Sequence, residues 1–295
     1  MFYRRKALLS LLQIFDNQLE KLSLQKLLFL FVQIQKNNAV YNFVPYKYGC
    51  YSFQANADLL TLEKYGIVYE ADTEWFRKDE CDYIASLKKH DRQALKLLKF
   101  QYGARSRDEL IRLTYEKYPF YAINSVVAEK YLSSQEILSL QKHRSHASDT
   151  VLFTIGYEGI SLENYLCKLL RRNIKVLCDV RKNAFSMKYG FSKKQLQNAC
   201  EGVGIMYHHF PQVGISSDKR QNLKTQADYD RLFLSYERET LVNSSDIQKE
   251  ILELLVRKKR IALTCFEADF CQCHRKKLAE AIANLPGFTC QFEHI

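Results

Sequence analysis

Val151-Leu152-Phe153-Thr154-Ile155-Gly156-Tyr157, residues 161–171, and Ile174-Lys175-Val176-Leu177-Cys178-Asp179-Val180 decide the fold between them. The first and third stretches are apolar and rich in branched side chains, as buried strands are. The middle stretch spaces Leu162, Tyr165, Leu166, Leu169 and Leu170 along one helical side. The alternation continues downstream. Residues 192–203 read as a helix, 205–210 as a strand, 229–240 and 245–258 as helices, and 260–265 as a strand. A helix over 273–285 and a closing strand over 289–294 complete the run. Strands separated by helices predict a doubly wound, mainly parallel α/β sheet with helices on both faces. In such sheets the chemistry lies past the carboxyl ends of the strands.

The polar stretch 141–150 lacks apolar periodicity, so two domains are expected, 1–145 and 150–295. The first reads as mostly helical. Residues 4–19 place Leu8, Leu11, Leu12 and Phe15 on one helical face, and Ser23 is positioned to cap a second helix carrying Leu24, Leu27, Leu28, Phe31 and Ile34. Residues 41–49 read as extended. Ser52 caps a short helix that Gly66 ends, and 67–69 and 73–76 form two short strands around an acidic turn. Ser106 with Glu109, and Ser133 with Glu136, are capping boxes. Helix, helix, short helix and β-wing is the winged-helix order. Phe43-Val44-Pro45-Tyr46-Lys47-Tyr48-Gly49, Ser52-Phe53, Asp58-Leu59-Leu60 and Tyr65-Gly66-Ile67-Val68 resemble a segment of prokaryotic winged-helix-like and Panacea-like regulatory domains, which carry proline where Cys50 stands. The resemblance implies recognition of nucleic acid or protein. The plainer reading is a helical scaffold.

Composition narrows the classes. The chain has 295 residues, 47% of them hydrophobic, which excludes a disordered polymer, and 4 prolines with 10 glycines exclude a collagen-like one. The longest apolar run, Leu27 to Val32, is far short of the roughly 20 residues of a membrane helix. Gln13 and Asp16 break the apolar stretch that follows the basic start, and no small-residue cleavage site appears, so no signal peptide is expected. The 9 irregularly spaced cysteines suggest reduced thiols in a cytoplasmic protein. A net charge of +11 fits a polyanionic partner, nucleic acid or a nucleotide above all. The alternative is a basic protein with a solvated surface.

Three predicted strand ends carry the reactive residues. The strand at 174–180 runs into Asp179-Val180-Arg181, Lys182-Asn183 and Ser186. The strand at 205–210 bears Tyr207, His208 and His209, with Gly214 beyond. The strand at 260–265 runs into Cys265-Phe266-Glu267, Asp269, Cys271, Cys273, His274 and Arg275. Ionisable groups near buried strand ends must be paired or hydrated. A structural ion-pair cluster, Asp179 with Arg181 or Arg275, is therefore the alternative to an active site.

Thr154-Ile155-Gly156-Tyr157-Glu158-Gly159, Asp179-Val180-Arg181, Phe185-Ser186, Gly204-Ile205-Met206-Tyr207-His208-His209, Gly214 and Cys265-Phe266-Glu267 with Cys273-His274-Arg275 resemble domain-of-unknown-function family 488 over roughly residues 151–284. That family often has proline where Ala184 stands and a second glycine where Ile215 stands. The resemblance implies an α/β fold and a polar pocket, without a settled reaction.

The residue types suggest a nucleic-acid- or nucleotide-processing enzyme, hydrolytic in chemistry. Asp179 and Glu267 are the candidate acid and base, with cleavage of an N-glycosidic bond as one reaction they would suit. Cys273, at the start of a helix, is a candidate low-pKa thiol. Arg181 and Arg275 would clamp an anion, with Ser186, His209 and His274 beside them. His208 and His209 point to opposite faces of their strand, and His209 is favoured for the pocket. Tyr207 and Tyr229 are read as packing residues, and Cys265 as a small apolar residue inside its strand. Lys219, Arg220 and Lys224 form a basic loop, read as solvated rather than as a lid or phosphate contact. No cofactor is expected: residues 156–159 lack G-x-G-x-x-G, so NAD is excluded. The alternative is Zn²⁺ on Cys271, Cys273 and His274, although the spacing is not that of the common paired motifs. The competing class is a non-catalytic nucleotide sensor or nucleic-acid-binding regulator, including a phage-defence component.

Overall fold

The computed structural model describes residues 1–35, 39–220, 223 and 225–295. The chain divides into two compact units, Met1–Arg144 and Ser145–Ile295.

The first unit is mostly helical. Helix α1 (Tyr3–Ile14) stops short of the apolar spacing that suggested residue 19, because Asp16 and Asn17 take left-handed backbone at φ 62° and 64°. The turn leads into β1 (Gln18–Glu20), then directly into α2 (Lys21–Gln35). Ser23 is buried inside α2 and does not cap it; the Lys21 N–H at the helix start is taken by the Thr73 carbonyl at 2.8 Å. A hairpin of β2 (Val44–Tyr46) and β3 (Gly49–Tyr51) precedes α3 (Phe53–Lys64). Ser52 caps α3, its Oγ accepting from the Ala55 N–H at 3.2 Å. Strands β4 (Val68–Ala71) and β5 (Glu74–Arg77) pair antiparallel, and β1 adds to β5, giving the order β1-β5-β4. Four helices follow: α4 (Lys89–Tyr102), α5 (Arg107–Lys117), α6 (Ala128–Tyr131) and α7 (Ser134–Lys142). Both expected capping boxes form at α5 and α7. Leucines and phenylalanines of α1 and α2 fill the core with Leu59 and Leu62 of α3, and Leu95 and Leu98 of α4. Asp58 is buried on α3 and takes hydrogen bonds from Arg4 (2.6 Å), Arg5 (2.7 Å) and Tyr41 (3.0 Å).

The second unit is an α/β sheet. Its elements are β6 (Val151–Gly156), α8 (Leu162–Arg171), β7 (Val176–Asp179), α9 (Lys193–Gly202), β8 (Met206–His209), α10 (Gln226–Ser235), α11 (Ser245–Lys258), β9 (Arg260–Cys265), α12 (His274–Ala283) and β10 (Gln291–His294). All five strands are parallel, in the order β10-β6-β9-β7-β8. The three central strands are buried along their whole length, which explains their unbroken apolar sequence. Ile251 and Leu255 of α11 and Leu278 and Ile282 of α12 pack with Val176, Cys178, Ile261 and Leu263 on one face. On the other, Tyr165 of α8 donates to Thr264 Oγ1 at 2.7 Å and meets Phe191 edge-on. A π-helical turn (Tyr236–Leu241) extends α10.

Candidate active site at the carboxyl edge of the sheet

The central strands β6, β7 and β9 end side by side at Gly156, Asp179 and Cys265. Their tight spacing rests on two glycines. A Cβ on Gly156 would lie 1.8 Å from the Glu267 carbonyl oxygen, and one on Gly214 would lie 2.1 Å from the Lys182 nitrogen. These contacts give the glycines of the TIGYEG and Gly214 motifs a steric reason.

Two ionic clusters occupy this edge. In the first, Oδ1 of the fully buried Asp179 accepts Arg181 Nε at 2.8 Å and the Arg181 backbone N–H at 3.1 Å, and Oδ2 accepts the Tyr207 hydroxyl at 2.6 Å and Arg181 Nη2. Arg181 Nη1 donates to Tyr157 Oη and to the Phe191 carbonyl, both at 2.8 Å. The guanidinium resists the cost of burial because Asp179 holds its pKa above the ordinary value. Burial and Asp179 together raise the Tyr207 phenol. Asp179 is therefore committed to Arg181 and Tyr207, the structural ion pair weighed from sequence, rather than free as an acid or base. Tyr207 does more than pack.

In the second cluster, Glu267 accepts Arg220 Nη1 on Oε1, while its buried Oε2 has no partner among the described residues. Burial first, then the Cys265 sulfur, push the Glu267 carboxyl above its ordinary pKa, against the pull of Arg220. Arg220 Nη2 lies 2.7 Å from His274 Nδ1 and 3.9 Å from Cys265 Sγ, and its buried Nε is also without a partner among the described residues. Arg220 thus folds into the site. The solvated-loop reading fails for this residue; Lys219 pairs with Glu239 at 2.6 Å, and Lys224 lies outside the described residues.

His274 bridges the clusters. Its Nε2 is 3.0 Å from the Val180 carbonyl, and its Nδ1 is 3.7 Å from Cys265 Sγ and 3.9 Å from Cys273 Sγ. Tyr236 meets the ring edge-on at 5.5 Å. Cys273 does precede the helix, as the N-cap of α12. Cys265 shares this surrounding: despite its burial, hydrogen bonding from Cys273 and the nearness of His274 and Arg220 lower its pKa, whereas burial and the Cys265 sulfur raise that of Cys273. The reading of Cys265 as a small apolar residue is corrected accordingly. Cys271 is exposed, with Lys276 3.9 Å from its sulfur, so the thiol that joins Cys273 and His274 is Cys265 and not Cys271.

The remaining expected residues divide. Arg275 is buried and gives Nη1 and Nη2 to the carbonyls of Glu267 (2.6 Å) and Ala268 (3.1 Å), its Nε having no partner among the described residues, so it braces the loop bearing Glu267 instead of clamping an anion with Arg181. His209 Nε2 meets the Arg181 carbonyl at 2.9 Å. His208 is exposed. Ser186 accepts the Lys188 N–H at 3.2 Å and lines a cleft of about 230 Å³. Arg181, Lys182, Asn183, Arg220 and Cys265 share that cleft with Tyr157, Phe185 and Phe266. Phe185 is 68% exposed and Phe266 43%. Tyr229 packs beside the core of the second unit.

An α/β domain with a cationic, aromatic-rimmed cleft at a β-sheet's carboxyl edge is thus the class that fold and site define. Within it, residues 161–282 match the family described as Domain of unknown function DUF488, in agreement with the resemblance carried by the DVR and CxE-x5-CHR motifs. No curated protein and no solved structure gives a significant match to the chain. No helix among the described residues is long and apolar enough to cross a membrane.

Proposed function

We propose that the second domain is a hydrolytic enzyme acting on a nucleotide or nucleic acid, with Glu267 as its acid–base carboxylate and Arg220 as the positive group that holds or neutralises substrate charge. The observation that carries this reading is the pair itself: Arg220, which lines the cleft, contacts Glu267, yet each keeps a buried polar atom without a partner among the described residues. Buried polar atoms are rarely left unsatisfied, and such exceptions call for a ligand or a reaction. The cleft's Lys182 and Arg220 suit phosphate, and the exposed rings of Phe185 and Phe266 suit base stacking. Asp179 passes from catalysis to scaffold in this reading.

The first domain adds a polyanion surface. Its order of helix, strand, helices and hairpin with a third antiparallel strand supports the winged-helix reading. Helix α3, the usual recognition element of that fold, is a poor anion surface: Asp58 is spent on Arg4 and Arg5, and Lys64 is its one cation. Helix α4 is better suited, with Lys89, Arg92 and Lys96 at helical spacing and Phe100 88% exposed.

The test incubates the full chain with nucleoside triphosphates and with single-stranded RNA and DNA, and reads products by mass spectrometry. Turnover is expected in the wild type, with Glu267→Gln about 10²- to 10⁴-fold slower, the usual contribution of acid–base catalysis. Phe185→Ala should weaken binding by about 1–3 kcal/mol at unchanged thermal stability. Thermal stabilisation by a nucleotide that stays chemically intact would favour the sensor reading.

A further inference from the structure

We propose that Cys265, Cys273 and His274 form a three-ligand Zn²⁺ site whose fourth position faces Arg220 and Glu267. The three donor atoms, from the end of β9 and the start of α12, all lie within 4.8 Å of one another and are buried. Zinc bonds of about 2.3 Å to sulfur and about 2.0–2.1 Å to nitrogen, at tetrahedral angles, place sulfur and nitrogen roughly 3.6 Å apart. The two sulfur–nitrogen distances here are 3.7 and 3.9 Å. Both lie within a few tenths of an ångström of that span, and the two sulfurs are within 4.8 Å of each other, against roughly 3.8 Å across a zinc ion.

The second shell is in place as well. His274 Nε2 donates to the Val180 carbonyl, which leaves Nδ1 as the bare nitrogen aimed at the two sulfurs. Metal-bound imidazoles are characteristically oriented by such a hydrogen bond through the other ring nitrogen. The donor set also already attracts a cation: the Arg220 guanidinium rests on Nδ1 and toward Cys265 Sγ. One imidazole and two thiolates suit zinc better than calcium or magnesium, which prefer oxygen. Three protein ligands, rather than four, leave the position that catalytic zinc sites give to water.

The site therefore supplies what the proposed hydrolysis needs, and to that extent it rests on that reading. A zinc ion held there would supply an acidified water, and Glu267 is the carboxylate that would take its proton and return it to the leaving group, a hydrolysis in which no electron is gained or lost.

Metal content separates the two ideas. Full-length protein, stripped with chelator and reloaded with Zn²⁺, should retain about one equivalent after dialysis by elemental mass spectrometry. Cobalt substitution should give a tetrahedral spectrum with thiolate charge-transfer bands. This wild-type measurement does not depend on a variant folding. Cys273→Ser and His274→Gln should retain less than about a tenth of that metal, whereas Cys271→Ser and Glu267→Gln should retain all of it. The site is overturned if the reloaded wild type holds no metal, if Cys271→Ser empties it, or if Cys265 and Cys273 rest as a disulfide. Turnover by a metal-free chain would sink zinc's part in the chemistry and spare the hydrolase. A zinc-loaded wild type that turns over none of the substrates would spare the zinc site and sink the hydrolase.

Discussion

Asp179 with Arg181 and Glu267 with Arg220 are both acid–guanidinium pairs at the carboxyl edge of one sheet, and they are built to opposite ends. Around Asp179, both carboxylate oxygens and every guanidinium nitrogen have partners. Around Glu267, a carboxylate oxygen and the Arg220 Nε are buried and unpartnered among the described residues. A closed network of charges contributes rigidity and specifies one arrangement of the strands it joins. An open one stores binding potential for whatever completes it. Position at a strand end thus locates both clusters, and the count of satisfied atoms separates one from the other.

The strongest way to break this comparison is to remove Asp179. Asp179→Ala leaves the Arg181 charge buried without compensation, and the expected cost is about 3–5 kcal/mol of unfolding free energy by chemical denaturation. Glu267→Gln should change stability by less than about 1 kcal/mol, because its pair is already incomplete. If the two costs come out equal, the closed and open clusters are energetically alike and the distinction collapses.

The next effect is steric. Gly156→Ala drives a methyl group into the Glu267 carbonyl, where 1.8 Å leaves no room, and the Arg275 bonds to that loop resist its retreat. We expect about 1–3 kcal/mol of destabilisation, typical of overpacking. Turnover should fall further than stability does, because the displaced loop carries Glu267. Loss of stability with unchanged kinetics would show that the loop's placement is not tied to the open cluster.

Much of this was legible before any coordinates. The apolar runs at 151–157, 174–180 and 260–265 can only be strands covered on both sides, and the helical spacing between them forces a parallel sheet. The edge bearing Asp179, Glu267, Cys273, His274 and Arg275 followed from that topology. Their division of labour did not. A pair of Asp179 with Arg181 or Arg275 stands only as the alternative to catalysis, because spacing alone does not tell a spent carboxylate from a reactive one. Arg220 shows only as one cation of a basic loop and reads as solvated, because that loop is polar and without periodicity, and its partners are 45 to 54 positions further along the chain. The sulfur of Cys265 was hidden for the opposite reason: an apolar strand sequence looks the same whether a thiol packs or reacts. Tyr207 lies on the edge strand β8, where alternate residues face outward, so its bond to Asp179 depends on a register that only the fold supplies.

The smallest expected effect lies at the opposite edge of the same sheet and tests whether pH acts on the site or on its frame. His294 ends β10, stacks on Phe270 at 3.8 Å and is bonded through Nδ1 to Thr154 Oγ1. Partial burial, then the charges of Arg275 and Lys276, lower its pKa below 6.5, with Glu280 opposing them. The folded state thus resists a proton that the unfolded chain accepts below pH 6.5. By linkage, the His294 contribution is complete above that value and is lost as pH falls through the lowered folded value. Thermal melts at pH 7.5 and 5.5 should show a modest acid loss in the wild type that shrinks in His294→Gln. An undiminished loss in the variant would move the acid sensitivity away from the β10 edge.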